Sequence, residues 1–153
     1  MSGEPMRANA RRFRLMPDDP LEVDIHEQCA RVLDRVLAPP AMWCCYPAGG
    51  TELAPQQWAR YARMGLKRGM PDLFIFHRAL WGIELKRRGG QLSKTRVVRT
   101  RRGTPRVLAG QEEIFPALLR SGGFREIAVA HNVEEVLAHL ARWDVPLRGR
   151  IAA

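Results

Sequence analysis

The sequence predicts an α/β fold: one domain with a mixed central β-sheet flanked by helices. Three observations carry that expectation. The chain of 153 residues has the length of one ordinary domain. Its residues are 46% hydrophobic, enough for a core and too many for a disordered tail protein. Apolar periodicity switches between helical and strand spacing in the order αβαββ, a basic hairpin, then αβα.

The elements follow in turn. Residues 1–20 carry Arg7, Arg11, Arg12 and Arg14, then the breaker cluster Pro17-Asp18-Asp19-Pro20, and read as a basic, flexible arm. Residues 21–37 read as a helix. Glu22 and Asp24 suit its N-terminal dipole, and Ile25, Cys29, Val32, Leu33 and Val36 recur at helical spacing. Pro39-Pro40 ends it. Residues 42–46 read as a short buried strand and 55–65 as a second helix, opened by Pro55 and closed by Gly65. Residues 72–76 and 81–86 read as an antiparallel hairpin with His77 to Leu80 between them. Residues 94–110 hold six cations and no acid around a Gly103-Thr104-Pro105 breaker, which suggests a projecting basic hairpin or loop. A helix over 111–120, a strand over 126–130 and a helix over 133–142 complete the domain, and 148–153 form a short tail.

Charge narrows the partners. Lys plus Arg number 25 against 16 Asp plus Glu, a net charge of +9. Only Lys67, Lys86 and Lys94 are lysines, so the excess is mostly Arg, whose fork suits phosphate. A polyanion, nucleic acid before membrane, is the expected partner. No apolar run approaches the roughly 20 residues of a membrane-spanning helix. Cys29, Cys44 and Cys45 are odd in number and lack a C-x-x-C spacing, so neither a disulfide framework nor a zinc knuckle is expected. They read as small buried thiols in a reducing cytoplasm.

The chemistry concentrates in Gly69-Met70-Pro71-Asp72, then eleven residues, then Glu84-Leu85-Lys86. Glu84 and Lys86 stand two apart on a strand and share a face, while Trp81, Ile83 and Leu85 take the other as core. Asp72 opens the neighbouring strand, so the hairpin brings two carboxylates together. Such a pair can hold a hard cation such as Mg²⁺, completed by a backbone carbonyl, here that of Leu85. A lysine beside it positions water and offsets phosphate charge, a sufficient kit for phosphodiester hydrolysis. Taken alone, Glu-x-Lys on a strand is usually a solvated polar face. Here both strands are strongly apolar, and the polar residues interrupt them at the required phase.

Together with Gly65, Leu73, Ile83 and Gly90-x-Leu92-Ser93, these residues resemble the VRR-NUC branch of the PD-(D/E)xK nucleases. The resemblance runs from about Glu22 to Leu147 and takes in Pro47-x-Gly-Gly, Gln111 and the closing helix from Val133 with Trp143. It implies a restriction-endonuclease-like core over 21–147 and DNA cleavage dependent on Mg²⁺ or Mn²⁺. It also implies a homodimer acting on branched DNA such as four-way junctions, in the cytoplasm of a bacterial or phage-infected cell. Carried over, Asp72 and Glu84 become metal ligands with the Leu85 carbonyl, Lys86 the catalytic lysine and Gln111 a supporting residue. The family's first-helix acid falls on Glu22 or Glu27. Glu22 lies about 60° from Ile25 around the helix and Glu27 about 200° away, so Glu22 is preferred. His26, one turn later, suits a structural or DNA-contacting role.

The chain departs from the family pattern twice. Relatives place Gln three residues after Ser, whereas 17 residues separate Ser93 from Gln111. That insertion supplies Lys94, Arg96, Arg99, Arg101, Arg102 and Arg106, an added surface for phosphates. Ala48 stands where relatives commonly carry Asn. Arg60, Arg63 and Lys67 recur at one-face helical spacing and, with Arg68, suggest a phosphate-tracking stripe; Arg87 and Arg88 follow the catalytic lysine. The reading is a metal-dependent, structure-selective DNA endonuclease. Its competitor is a non-catalytic nucleic-acid-binding module on the same fold, from which metal titration separates it. A basic assembly or RNA-associated protein explains the charge but not the acids.

Overall fold

The computed structural model describes residues 20–46 and 54–149. The expected arm over 1–20 lies outside them but for Pro20, as do Ala48 and the Pro47-x-Gly-Gly motif, and the tail beyond Gly149.

Among the described residues, four helices, a four-stranded mixed sheet and a separate two-stranded sheet make up the fold: α1 (Glu22–Val36), β1 (Met42–Cys45), α2 (Pro55–Arg63), β2 (Leu73–His77), β3 (Ala79–Leu85), β4 (Arg96–Arg99), β5 (Pro105–Leu108), α3 (Gln111–Arg120), β6 (Glu126–Ala130) and α4 (Val133–Arg142). The sheet order is β1-β2-β3-β6. The first three strands run antiparallel, and β6 lies parallel to β3. A parallel neighbour needs a crossover, and here α3 lies within it.

Local chemistry explains the boundaries. Asp24 accepts a hydrogen bond from the Leu21 amide at the start of α1. Asn132 caps α4 by accepting from the Glu135 amide at 2.8 Å. Alternation sends Leu73, Ile75, Ile83, Leu85, Ala128 and Ala130 into one core with Ile25, Cys29 and Leu33 of α1 and Val136 and Leu140 of α4. Trp81 stacks on Trp143 at its margin, ring centroids 4.8 Å apart. The other face carries Phe74 edge-on to Phe124, and α3 touches β6. Gly82 lets that face close: a Cβ there would meet Pro71 Cγ at 2.9 Å and Phe124 at 3.2 Å.

Three expectations need correction. The strand over 42–46 is not buried, because β1 ends the sheet; Cys44 and Cys45 are exposed, and only Cys29 is a buried thiol. The β2–β3 connection is tighter than four residues. His77 pairs with Ala79, leaving Arg78 alone at the turn with φ 54°. Helix α2 stops at Arg63, so Lys67 lies beyond it and the Arg60–Arg63–Lys67 helical stripe is broken.

The 94–110 segment does form a hairpin, β4 against β5, with Val97 opposite Val107. It leaves and rejoins the domain at one point. The Gln111 amide donates to Ser93 Oγ, the Glu112 amide to the Ser93 carbonyl, and the Gly110 amide to Thr95 Oγ1. Thr95 in turn donates to Glu113. This clasp admits no side chain at Gly110, where a Cβ would stand 2.2 Å from the Ser93 carbonyl oxygen. Gly110→Ala should therefore destabilise the protein by about 1–3 kcal/mol, measured by urea unfolding. An unchanged midpoint would mean that the clasp is not tight.

Candidate active site

The β2–β3 register pairs Leu73 with Ile83. Continued one step, it sets Asp72 opposite Glu84, so the two carboxylates share one face at the end of the ladder. Both are buried, with 8% and 2% of their surface exposed. One step further, Pro71 falls opposite Leu85. Proline has no N–H, so the ladder donor for the Leu85 carbonyl is missing. The Leu85 amide turns instead to Asp72 Oδ2 at 2.7 Å. The carbonyl of the same residue points to the same edge, beside Asp72.

Glu84 is held from two sides. Lys86 Nζ lies 2.6 Å from its Oε1, and Gln111 Nε2 donates to the same oxygen at 2.5 Å. Gln111 is fixed in turn by accepting at Oε1 from the Ser93 amide. The other carboxylate oxygen, Glu84 Oε2, is buried without a hydrogen-bond partner. A buried, unpaired carboxylate oxygen is costly, and an oxygen-seeking cation would satisfy it. Asp72, Glu84 and the Leu85 carbonyl thus suit Mg²⁺ or Mn²⁺, and Mg²⁺ needs only one or two carboxylates because it keeps waters. Among the described residues, no group of three or more His, Cys, Asp and Glu is gathered as a full cage.

A cavity of about 580 Å³ opens over these groups and brings together Glu22, Asp72, Glu84, Lys86 and Gln111. Glu22 reaches it because α1 begins at that end of the sheet. Glu27 does not; it pairs with Arg31 on the exposed side of the helix. His26 is half-buried and does not line the cavity. The 17-residue insertion leaves Gln111 in place, because the clasp returns it to Ser93.

The cations divide unevenly. Arg68, Lys94 and Arg96 line the cavity beside Lys86. Arg60, Arg63, Lys67, Arg87, Arg88, Arg99, Arg101, Arg102 and Arg106 are exposed on α2, the segments after α2 and β3, and the hairpin. None of these twelve forms an ion pair with a described acid, whereas Arg31, Arg78 and Arg142 do. Sequence reasoning passed over Trp58, which lines the cavity under the Arg68 guanidinium, 4.2 Å from its ring centroid. An aromatic among the cations of residues 58–68 was the available signal.

Burial dominates the protonation chemistry. It raises Glu84 to about 7, helped by the Asp72 charge and opposed by Lys86 and Gln111. Burial raises Asp72 as well, against the Leu85 amide and Lys86. Lys86 is pulled down by burial, but its bond to Glu84 and the charges of Glu84, Glu22 and Asp72 outweigh that and raise it. The lysine therefore stays charged while the acids share too little positive charge.

No protein-family model matches the chain, and neither the curated proteins nor the solved structures contain a match.

The raised Glu84 has a thermodynamic consequence. From its ordinary value of 4.5 up to about 7, the metal-free folded protein keeps a proton that the unfolded chain releases. Stability from this group is full below the window and is lost as pH rises through it. Two other carboxylates act in the opposite sense, but below 4.5. They are Glu126, which burial alone would raise but Arg142 and Trp143 hold low, and Glu135, held low by His131. His26, lowered by burial against the Glu27 charge, opposes Glu84 inside the window, up to its ordinary 6.5. Asp72, also raised by burial, acts in the same sense as Glu84, so comparison with Glu84→Gln reads the coupled pair and cancels the other groups. In EDTA, the wild-type urea midpoint should fall relative to the variant between these limits and then level. A constant difference across the range would exclude the shift.

Proposed function

We propose that the protein is a Mg²⁺- or Mn²⁺-dependent DNA endonuclease of the VRR-NUC type with a restriction-endonuclease-like core, selective for branched or distorted DNA. One observation carries the reading. The Asp72–Glu84 pair, with a buried unsatisfied carboxylate oxygen, faces Lys86 in a cavity rimmed by cations that no described acid neutralises. Acids buried at that phase have no use in a protein that merely holds a polyanion.

The chain's own groups divide the work. The Leu85 amide orients Asp72, and Gln111 with Lys86 orients Glu84, so both carboxylates are fixed before a cation arrives. When bound, the metal supplies Lewis-acid charge at the scissile phosphate and its attacking water. Lys86 adds a fixed positive charge where negative charge develops and can orient that water. Glu22, at the rim, adds carboxylate charge toward the cation. The exposed arginines hold the strand by its phosphates and read no sequence. Cutting both strands of a junction symmetrically requires a twofold dimer, so light scattering of the protein–DNA complex should give two copies. A monomer would end the paired-cut idea.

The direct test uses labelled four-way junction and linear duplex with Mg²⁺, Mn²⁺ or EDTA. Cutting should require metal and fall by about 10²- to 10⁴-fold in Lys86→Ala. Metal-independent cutting, or full activity in the variant, would refute the site. Tight binding without cutting under either metal would favour the binding module. Separately, replacing Arg99, Arg101 and Arg102 by Ala should reduce the slope of log affinity against log salt by about 2 to 3. An unchanged slope would take the hairpin off the DNA.

A further inference from the structure

A second depression adjoins the candidate site. It measures about 680 Å³, within the roughly 300–1,000 Å³ of small-ligand clefts. Its walls are apolar: Trp58 of α2, Met70, Val107 and Leu108 of β5, and Ile114 and Leu118 of α3. Trp58, Arg68, Met70 and Leu108 also line the candidate metal cavity, so the two adjoin. We infer that this groove takes up a single unpaired nucleobase from a DNA strand whose phosphates lie on the flanking cations.

The occupant is set by chemistry. Lys67, Arg68 and Arg106 edge the groove, and none pairs with a described acid. An apolar pocket with a cationic rim matches a molecule with one flat, weakly polar part and one anionic part. A nucleotide is such a molecule; a purely apolar helix would strand the cations. The Trp58 ring and the Arg68 guanidinium stacked on it offer the flat faces on which unstacked bases rest. Val97 and Val107, paired across the hairpin, are 66% and 65% exposed, apolar surface that nothing described covers. In an intact duplex every base is stacked and paired, and none can enter. The groove therefore selects DNA that already carries an unpaired base beside the scissile phosphate, as flaps, bulges and strained junction centres do.

This inference rests on the proposal that DNA is the partner, but not on cleavage, so it is tested by binding in EDTA. The probes are a labelled duplex with one unpaired nucleotide, 2-aminopurine in one version, and a matched duplex of equal length. The wild type should bind the bulged duplex tighter by on the order of tenfold and quench the 2-aminopurine. Trp58→Ala should bring the affinity ratio near one and abolish quenching, while Trp58→Phe keeps both. Trp58 is not part of the main core, so the domain's fold does not depend on it, and Trp58→Phe controls for the docking of α2. Val107→Asp, at an exposed wall position, should also lower the ratio. Equal wild-type affinities, or loss in Trp58→Ala by one factor for both duplexes, would overturn the inference. So would failure to bind either duplex, which would sink the DNA reading with it. Cleavage without bulge preference would overturn the inference alone. Bulge preference without cleavage would support it and overturn the nuclease instead.

Discussion

The structure turns on a carboxylate withdrawn almost wholly from solvent at the floor of a cavity. Burying an ionised Glu84 is unfavourable unless charge and hydrogen bonds are supplied. The fold supplies them from two separate stretches of chain. Lys86 comes from just past the same strand and Gln111 from the first turn of α3, while Asp72, just before the adjacent strand, is a second acid that adds to the need. Those partners exceed what a neutral group would need and fall short of what two carboxylates require. The deficit leaves room for one more positive charge.

The sheet makes this possible by separating its faces. Leu73, Ile75, Ile83 and Leu85 close the core with α1 and α4, so stability comes chiefly from one side. The opposite side is released from that duty at the ladder's open end, where Pro71 interrupts the hydrogen bonding. The turn at Arg78 lies at the far end of the same hairpin and keeps Asp72 and Glu84 in register. A slip of one residue would turn every core side chain of the strand to the opposite face and the acid toward the core.

Much of this was legible in the sequence. The bounds of the strand over 126–130 and the helix over 133–142 were read directly, and Glu84 and Lys86 fixed their shared face by spacing alone. Helical phase, with the spacing that the family resemblance implies, favoured Glu22 over Glu27, because a rotation around α1 is arithmetic. What the sequence hid depended on distant neighbours. The exposure of β1 follows from its place at the sheet edge, which no local pattern encodes. The early end of α2 reflects a short helix without buried residues, where propensity has little tertiary support. The return of Gln111 to Ser93 is a contact closed across the insertion, and Trp58 gained meaning only when Arg68 folded back over it.

The clasp between Ser93 and Gln111 has one more implication. Both ends of the hairpin are tied at a single point of the domain, and the residues beyond it take no part in the main core. Lengthening a flexible loop closed in this way costs only about 0.6 kcal/mol per doubling. The segment thus behaves as a socketed attachment. Its length and charge can change while the acids behind the clasp keep their positions, so what the protein grips and what it does there are free to vary independently.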